Sequence, residues 1–314
     1  KRYLILWDAL NHSKKILNRH ANIYSAYFIK NSDLYMWQSE LNKKVYVSNL
    51  KNKVIKEFNP GFYVYSHIVT SDLQYYIASD EHWNLFVINH KHTKLLKKDL
   101  NGFTGIGKPI QITLSNDEKM FITSGFGSLY DHDKLSYSVK YEYGFNTISK
   151  ISFLRGLILW SIEGKPMKRF AGNRAKTFGA ITPDDRYILG VDENMLGFIW
   201  SAYTERKIRS LDFFNANSPA PTIAIKFLDM NGHYLIFMLD TPFVTLYKLQ
   251  GAKPIQYVLN ATNDSYFNRF IDALSIDSSP STHILVTGRA HSSGLILYQF
   301  NPEKLNLVPI WIAK

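Results

Sequence analysis

Three observations in the sequence predict an all-β fold built from repeated four-stranded units. The first is composition: 20 Tyr and 20 Phe among 314 residues, within 46% hydrophobic and 20% charged, suit half-buried pleated surfaces better than helices. The second is an apolar strand ending in an anchor residue. It recurs as Leu4-Ile5-Leu6-Trp7, Val45-Tyr46-Val47, Leu85-Phe86-Val87-Ile88, Leu157-Ile158-Leu159-Trp160, Gly197-Phe198-Ile199-Trp200, Val244-Thr245-Leu246-Tyr247 and Leu295-Ile296-Leu297-Tyr298. Successive anchors stand 40, 41, 72, 40, 47 and 51 residues apart, and all but one of these intervals sit on or near the period of about 40–45 residues that a four-stranded blade occupies. The third is a polar turn between two β runs at the same period. Together they predict a β-propeller, most simply one of seven four-stranded blades.

The polar turns fall at Thr70-Ser71-Asp72 before Tyr75-Tyr76-Ile77, at Ser115-Asn116-Asp117 before Met120-Phe121-Ile122, at Thr182-Pro183-Asp184-Asp185 before Tyr187-Ile188-Leu189, and at Asp229-Met230-Asn231-Gly232 before Tyr234-Leu235-Ile236. Pro, Asp, Asn and Gly supply turn geometry between runs of β propensity, so each reads as a hairpin between inner strands A and B. The anchor run is then strand C, and the basic run after it strand D.

In chain order the expected blades are 1–19, 20–59, 60–103, 104–172, 173–215, 216–262 and 263–314, all within one domain. The first holds only strands C and D, because the chain opens on an anchor strand; its A and B strands are expected upstream of Lys1, lost by truncation or disorder. The 72-residue interval before Trp160 carries about 30 surplus residues over one blade. Its centre, 135–143 and 147–153 round Gly144, reads as an inserted hairpin between strands B and C of the fourth blade, with a degenerate eighth blade as the alternative.

These residues resemble the WD-repeat family. Thr182-Pro183-Asp184-Asp185-Arg186-Tyr187-Ile188 looks like its A–B turn, Trp7-Asp8 is the dipeptide for which it is named, and Trp160-Ser161 and Trp200-Ser201 are near-misses. The resemblance spans the chain with degenerate copies: no Gly-His dipeptide precedes an A strand, and the His–Ser–Asp–Trp tetrad of the family is complete in no blade. Asp80 and Asp192, each eight residues before an anchor, retain a part of it. The resemblance implies a scaffold for protein interactions.

Composition bounds the function classes. No apolar run reaches the roughly 18 residues of a membrane-spanning helix, and no apolar leader with a small-residue cleavage site opens the chain, so a signal either never existed or has been removed. A soluble chain follows, with a cytoplasmic location favoured and the compartment unassigned. Zero Cys removes disulfides, thiolate metal sites and cysteine nucleophiles. The formal charge of +11 attracts acidic partners without naming one.

No catalytic constellation emerges. Gly102 to Lys108 has the spacing of a phosphate loop, but Pro109 stands where Ser or Thr would hold a metal, and a strand rather than a helix is expected to follow. His90-Lys91-His92 and Asp131-His132-Asp133 each lack a third ligand at a metal-site spacing. No catalytic residue, metal site or cofactor is therefore expected, although a propeller enzyme with a site in the central channel would show no linear motif.

Two surfaces remain. Basic residues recur in phase on C–D turns and D strands, among them Lys94, Lys97, Lys98, Lys168, Arg169, Arg206, Lys207 and Arg209. On edge strands such lysines discourage edge-to-edge pairing, or they bind nucleic acid or phospholipid headgroups. The A–B turns at the same end carry Asp33, Asp72, Asp117, Glu118, Asp184, Asp185 and Asp229, which partly cancels that charge. The opposite end, formed by B–C and D–A loops, collects the length excesses at 127–156, 215–221 and 260–269. Elongated loops on one face of a repeat fold mark the binding face. Trp83, Tyr130, Tyr141, Tyr143, Phe145, Tyr266, Phe267 and Arg269 supply the aromatic and Arg content of interaction hot spots there. The expected function is a non-enzymatic scaffold that binds a protein or peptide, within a multi-protein complex, through this face.

Overall fold

A computed structural model describes residues 4–8, 11, 13–18, 23–39, 41–80, 85–89, 98–99, 107–127, 157–170, 176–192, 196–204, 206–212, 222–239, 244–249, 255–258, 273–289 and 295–313. All regular structure among them is antiparallel β. Strands β1 (Leu4–Asp8) and β2 (Ser13–Asn18) pair alone. Six sets of four follow. The second set is β3 (Ile23–Phe28), β4 (Leu34–Ser39), β5 (Val45–Asn49) and β6 (Val54–Phe58); the third is β7 (Val64–Val69), β8 (Tyr75–Asp80), β9 (Leu85–Asn89) and β10 (Lys98–Asp99). The fourth is β11 (Gly107–Leu114), β12 (Met120–Gly127), β13 (Leu157–Ser161) and β14 (Pro166–Phe170), and the fifth β15 (Lys176–Ile181), β16 (Tyr187–Asp192), β17 (Leu196–Ser201) and β18 (Lys207–Asp212). The sixth is β19 (Thr222–Phe227), β20 (Tyr234–Leu239), β21 (Val244–Lys248) and β22 (Ile255–Val258), and the seventh β23 (Ala273–Ser279), β24 (Ile284–Arg289), β25 (Leu295–Asn301) and β26 (Asn306–Ala313).

Within each set the strands hydrogen-bond in chain order A-B-C-D. One departure joins the fourth and fifth sets. Strand β12 runs on past the stretch Met120 to Thr123 that pairs with β13, and its end pairs with β15 at Gly125↔Thr177 and Phe126↔Lys176. A free length of strand edge satisfies its backbone groups on the nearest strand available. The result is a single eight-stranded sheet. The inserted hairpin expected between strands B and C of this set lies outside the described residues.

The core lies between the faces of successive sets, which explains why these strands read as continuous apolar runs instead of alternating ones. Strand side chains alternate in direction, and here both directions are buried. In β8, Tyr76 and Ala78 pack with Met36, Val45, Val47 and Phe58 of the second set, while Ile77 packs with Ile112, Phe121 and Trp160 of the fourth. In β12, Ile122 faces Leu157, Ile188 and Trp200 in the cluster shared by the fourth and fifth sets. Packing there is close: a Cβ on Gly190 would stand 2.8 Å from both Leu157 Cδ1 and the Trp200 ring.

The A–B turns of the third, fourth and fifth sets follow one chemistry. Thr70, Ser115 and Thr182 end their A strands, and each hydroxyl donates to the Asp two residues on, at 2.5, 2.8 and 2.6 Å. The same oxygens accept the N–H of Tyr75, Met120 and Tyr187, each at 3.0 Å. The C–D turns use the residue after the anchor in the same way: Asp8 accepts from Asn11 N at 3.0 Å, Ser161 from Lys165 N at 3.1 Å and Ser201 from Thr204 N at 3.2 Å. Ser therefore preserves the turn-closing work of Asp in the two Trp-Ser dipeptides. One leg of the tetrad is present as well, with Trp160 Nε1 donating to Thr123 Oγ1 at 2.9 Å.

Candidate partner-binding face

The antiparallel order puts A–B and C–D turns at one end of the sets, and B–C and D–A loops at the other. At the first end, hydrogen bonds tie one set to the next. Glu118 and Asp185 occupy the same place in successive A–B turns, each in the left-handed region at φ 58° and 60°. Glu118 Oε2 accepts from Ser71 N and Oγ of the preceding turn at 2.9 and 2.8 Å. Asp185 repeats the contact, accepting from Asn116 N and, at 2.7 Å, from Asp117 N. Burial pushes the Asp185 carboxyl up, against the two backbone N–H groups that hold it down. Lys30 donates to Asn116 Oδ1 beside this cluster, and its burial lowers its pKa despite the nearby Asp185, Glu118 and Asp117.

D-strand cations act at the same end. Lys15 Nζ donates to Leu50 O at 3.3 Å, Lys168 Nζ to Tyr203 O, and Arg209 Nη1 to Leu249 O at 3.2 Å. In each case the acceptor is the C–D turn of the following set. Of the other basic residues singled out in the sequence, Lys207 Nζ sits 4.3 Å from the Phe198 ring centroid and Arg206 is exposed. Lys98 lies in β10 and Arg169 in β14; Lys94 and Lys97 fall outside the described residues.

Between the two ends, one buried polar contact links A strands. His67 of β7 engages Ser25 Oγ of β3 through Nε2 at 2.9 Å and Tyr76 OH through Nδ1 at 3.2 Å. Desolvation lowers its pKa to about 3, so the ring is neutral at ordinary pH. Gln38 adds a second link when its amide nitrogen faces Val64 O and its oxygen Val64 N, both at 3.2 Å.

The other end is described at the second and third sets. The β4–β5 turn closes through Ser39 N to Lys44 O at 3.0 Å, with Leu41 N on Ser39 Oγ at 3.3 Å and Lys44 N on Asn42 Oδ1 at 3.0 Å. These bonds fix the turn and leave Leu41 72% exposed. In the β6–β7 connection, Gly61 takes φ 80°, open to glycine at no steric cost. Phe62 then stacks on Phe86 with centroids 4.3 Å apart, while Tyr63 stays 40% exposed with Lys43 Nζ 4.2 Å from its ring centroid. Lys44 is paired with Glu57 at 2.5 Å. Lys43 and Tyr63 thus make an exposed cation–π pair, and Leu41 stands exposed two residues before Lys43 in the same turn. Sequence reasoning missed them; the signal was a lone Leu inside the polar turn 40–44.

Trp83, Tyr130, Tyr141, Tyr143, Phe145, Tyr266, Phe267 and Arg269 lie outside the described residues. Gly107-Lys108-Pro109 opens strand β11, not a helix. Among the described residues, no group of three His, Asp or Glu side chains is placed to hold a metal ion, and no helix is long and apolar enough to cross a membrane.

No protein-family model matches the sequence, and no curated protein matches it. Solved structures do share its architecture. A form of KlHsv2 with loop 6CD replaced by a Gly-Ser linker superposes with a TM-score of 0.67 at 8% identity, over 99% of this chain and 92% of that one. The β-propeller domain of Cps50 (Swd1) from Myceliophteria thermophila gives 0.63 at 11% identity, over 94% and 86%. Hsv2 from Kluyvelomyces marxianus gives 0.61 at 9% identity, over 96% and 87%. Identities this low speak to fold alone. With its antiparallel four-stranded sets, its hydroxyl–Asp turns and its retained Trp–Thr bond, the chain is a WD-repeat-like β-propeller.

Proposed function

We propose that residues 1–314 form a single seven-bladed ring that serves as a non-enzymatic scaffold, holding a protein or peptide partner at its B–C/D–A face. The observation that carries this reading is the Leu41–Lys43–Tyr63 patch. A 72%-exposed Leu in the same turn as the Lys43 that meets a half-open Tyr offers the apolar contact area that hot spots use, and the bonds that close that turn mean that little order is lost on binding. The proposal also includes Trp83, Tyr130, Tyr141, Tyr143, Phe145, Tyr266, Phe267 and Arg269, on the sequence alone.

The test starts by identifying proteins that co-purify with the chain. Affinity for each is then measured with Leu41→Asp, Tyr63→Ala, Trp83→Ala and a deletion of 130–152. Loss of at least ~10-fold with two or more of these is expected from hot-spot truncation. Undiminished binding in all four would place the partner elsewhere.

A second reading, an anion-directed module, draws on the charge of +11 and the exposed Arg206 and Lys207. It predicts a steep fall in affinity for nucleic acid or anionic vesicles between roughly 50 and 200 mM salt, whereas the first reading predicts a shallow one.

A further inference from the structure

Four D strands share one irregularity. Beside the anchor the register slips by one residue, which leaves Ile55, Met167, Ile208 and Ile310 as the extra residue of a bulge in β6, β14, β18 and β26. Each is an exposed apolar side chain. A bulge re-aims the side chains at its site, and in three of the four the next residue is the cation that reaches the following set: Lys56 to Leu73 O, Lys168 to Tyr203 O and Arg209 to Leu249 O. Those bonds account for the bulge. They do not account for an apolar residue at the unpaired position, where a polar one would avoid exposing it to water.

Two of these residues share one platform. The fourth and fifth sets are a single sheet through β12 and β15, and the Lys168–Tyr203 bond holds the C–D turn of the fifth set against β14. Met167 at 46%, Ile208 at 50% and Tyr203 at 60% exposure flank that seam. Cations accompany them. The hairpins 157–170 and 196–212 hold six Lys and Arg against three acids. Lys165, Arg206 and Lys207 are exposed, and no ion pair among the described residues involves them. Burial and then Glu163 raise the pKa of Tyr75, which places the Glu163 carboxylate toward the third set and away from the seam.

We propose that this seam docks an acidic polypeptide segment that carries aliphatic residues among its carboxylates. The unpaired cations select the sign of the partner, and Met167, Tyr203 and Ile208 select its apolar content. A bilayer is the poorer match, because side chains only half out of a sheet lie along it, whereas anchors at a lipid interface enter by roughly 5–10 Å. The surface belongs to outer strands, apart from the turns of Leu41 and Tyr63, and does not rest on the B–C/D–A reading.

The probe is a phage-displayed library of random short peptides, selected on the full chain. Each selected peptide is then titrated against the parent, the Met167→Ser/Ile208→Ser and Lys165→Glu/Arg206→Glu double variants, and Leu41→Asp, with thermal unfolding confirming that every variant is folded. The expected peptides combine Asp or Glu with Ile, Leu or Val, and lose at least ~10-fold in affinity with each double variant. Exchanging their acids for Lys restores binding to the charge-reversed chain, which a merely structural effect would not do. Selected peptides without acids, affinity unmoved by either double variant, or loss with Leu41→Asp alone overturns the proposal. So does the absence of any selected peptide; if mixed phosphatidylcholine and phosphatidylserine vesicles then bind the parent and not the double variants, the seam is a lipid surface instead.

Discussion

At the two ends of the propeller, the described turns hold their neighbours differently. At the A–B/C–D end, carboxylates reach back to the preceding set and cations forward to the next: Glu118 to Ser71, Asp185 to Asn116 and Asp117, Lys168 to Tyr203, Arg209 to Leu249. At the B–C/D–A end, the described turn at 41–44 is closed by its own backbone and by Ser39 and Asn42. A side chain engaged with its neighbour is committed. Leu41 projects from a turn already closed without it, and the proposed partner-binding face rests on that contrast.

The strongest way to break this contrast is Asp185→Ala. It leaves two backbone N–H groups of the preceding turn unmet, and a loss of about 2–3 kcal/mol in urea unfolding is expected. A loss under about 0.5 kcal/mol would mean that the A–B end does not hold the ring. Next comes pH. The His67 pKa falls from an ordinary value near 6.5 to about 3 in the fold, so the unfolded chain binds the proton more readily. Stability is full above about 6.5 and drops progressively toward pH 3; between pH 7 and 5 the loss is about 2 kcal/mol. His67→Gln flattens that slope in thermal unfolding, and an unchanged slope assigns it to another group.

Smaller again is Lys168→Met. It removes a partly screened bond to the Tyr203 carbonyl, worth about 0.5–1 kcal/mol, and a double-mutant cycle against changes in the 203–204 turn isolates it. Zero coupling would return this lysine to the anion-binding reading. Least of all for stability is Leu41→Ser, expected within about 0.5 kcal/mol of the parent while partner affinity falls. Should it destabilise by more than Lys168→Met, the claim that this end is free for recognition fails.

The sequence exposed what repeats along the chain. The anchors were legible because each blade must bury apolar strands on both faces, and three A–B turns because a hydroxyl and a carboxylate at fixed spacing close them. Contacts across space were not. Asp185 reads as one more turn acid, and nothing nearby says that its partners are 68 and 69 residues away. The fusion of β12 to β15 was equally hidden, since strand length past a pairing partner leaves no compositional trace. Leu41 was hidden as well, because a lone aliphatic residue in a short polar turn carries none of the aromatic and Arg content that marks a hot spot in sequence.

The ties between sets also have a direction in time. Glu118 grips a turn made 47 residues earlier, and Lys15 waits for a carbonyl 35 residues later. Both kinds are completed only when the following set exists. As the polypeptide leaves the ribosome, each newly formed sheet therefore emerges with unmet donors that its successor satisfies. Assembly would advance as a ratchet, and a chain that stalled partway would carry its weakest seam at the most recent blade.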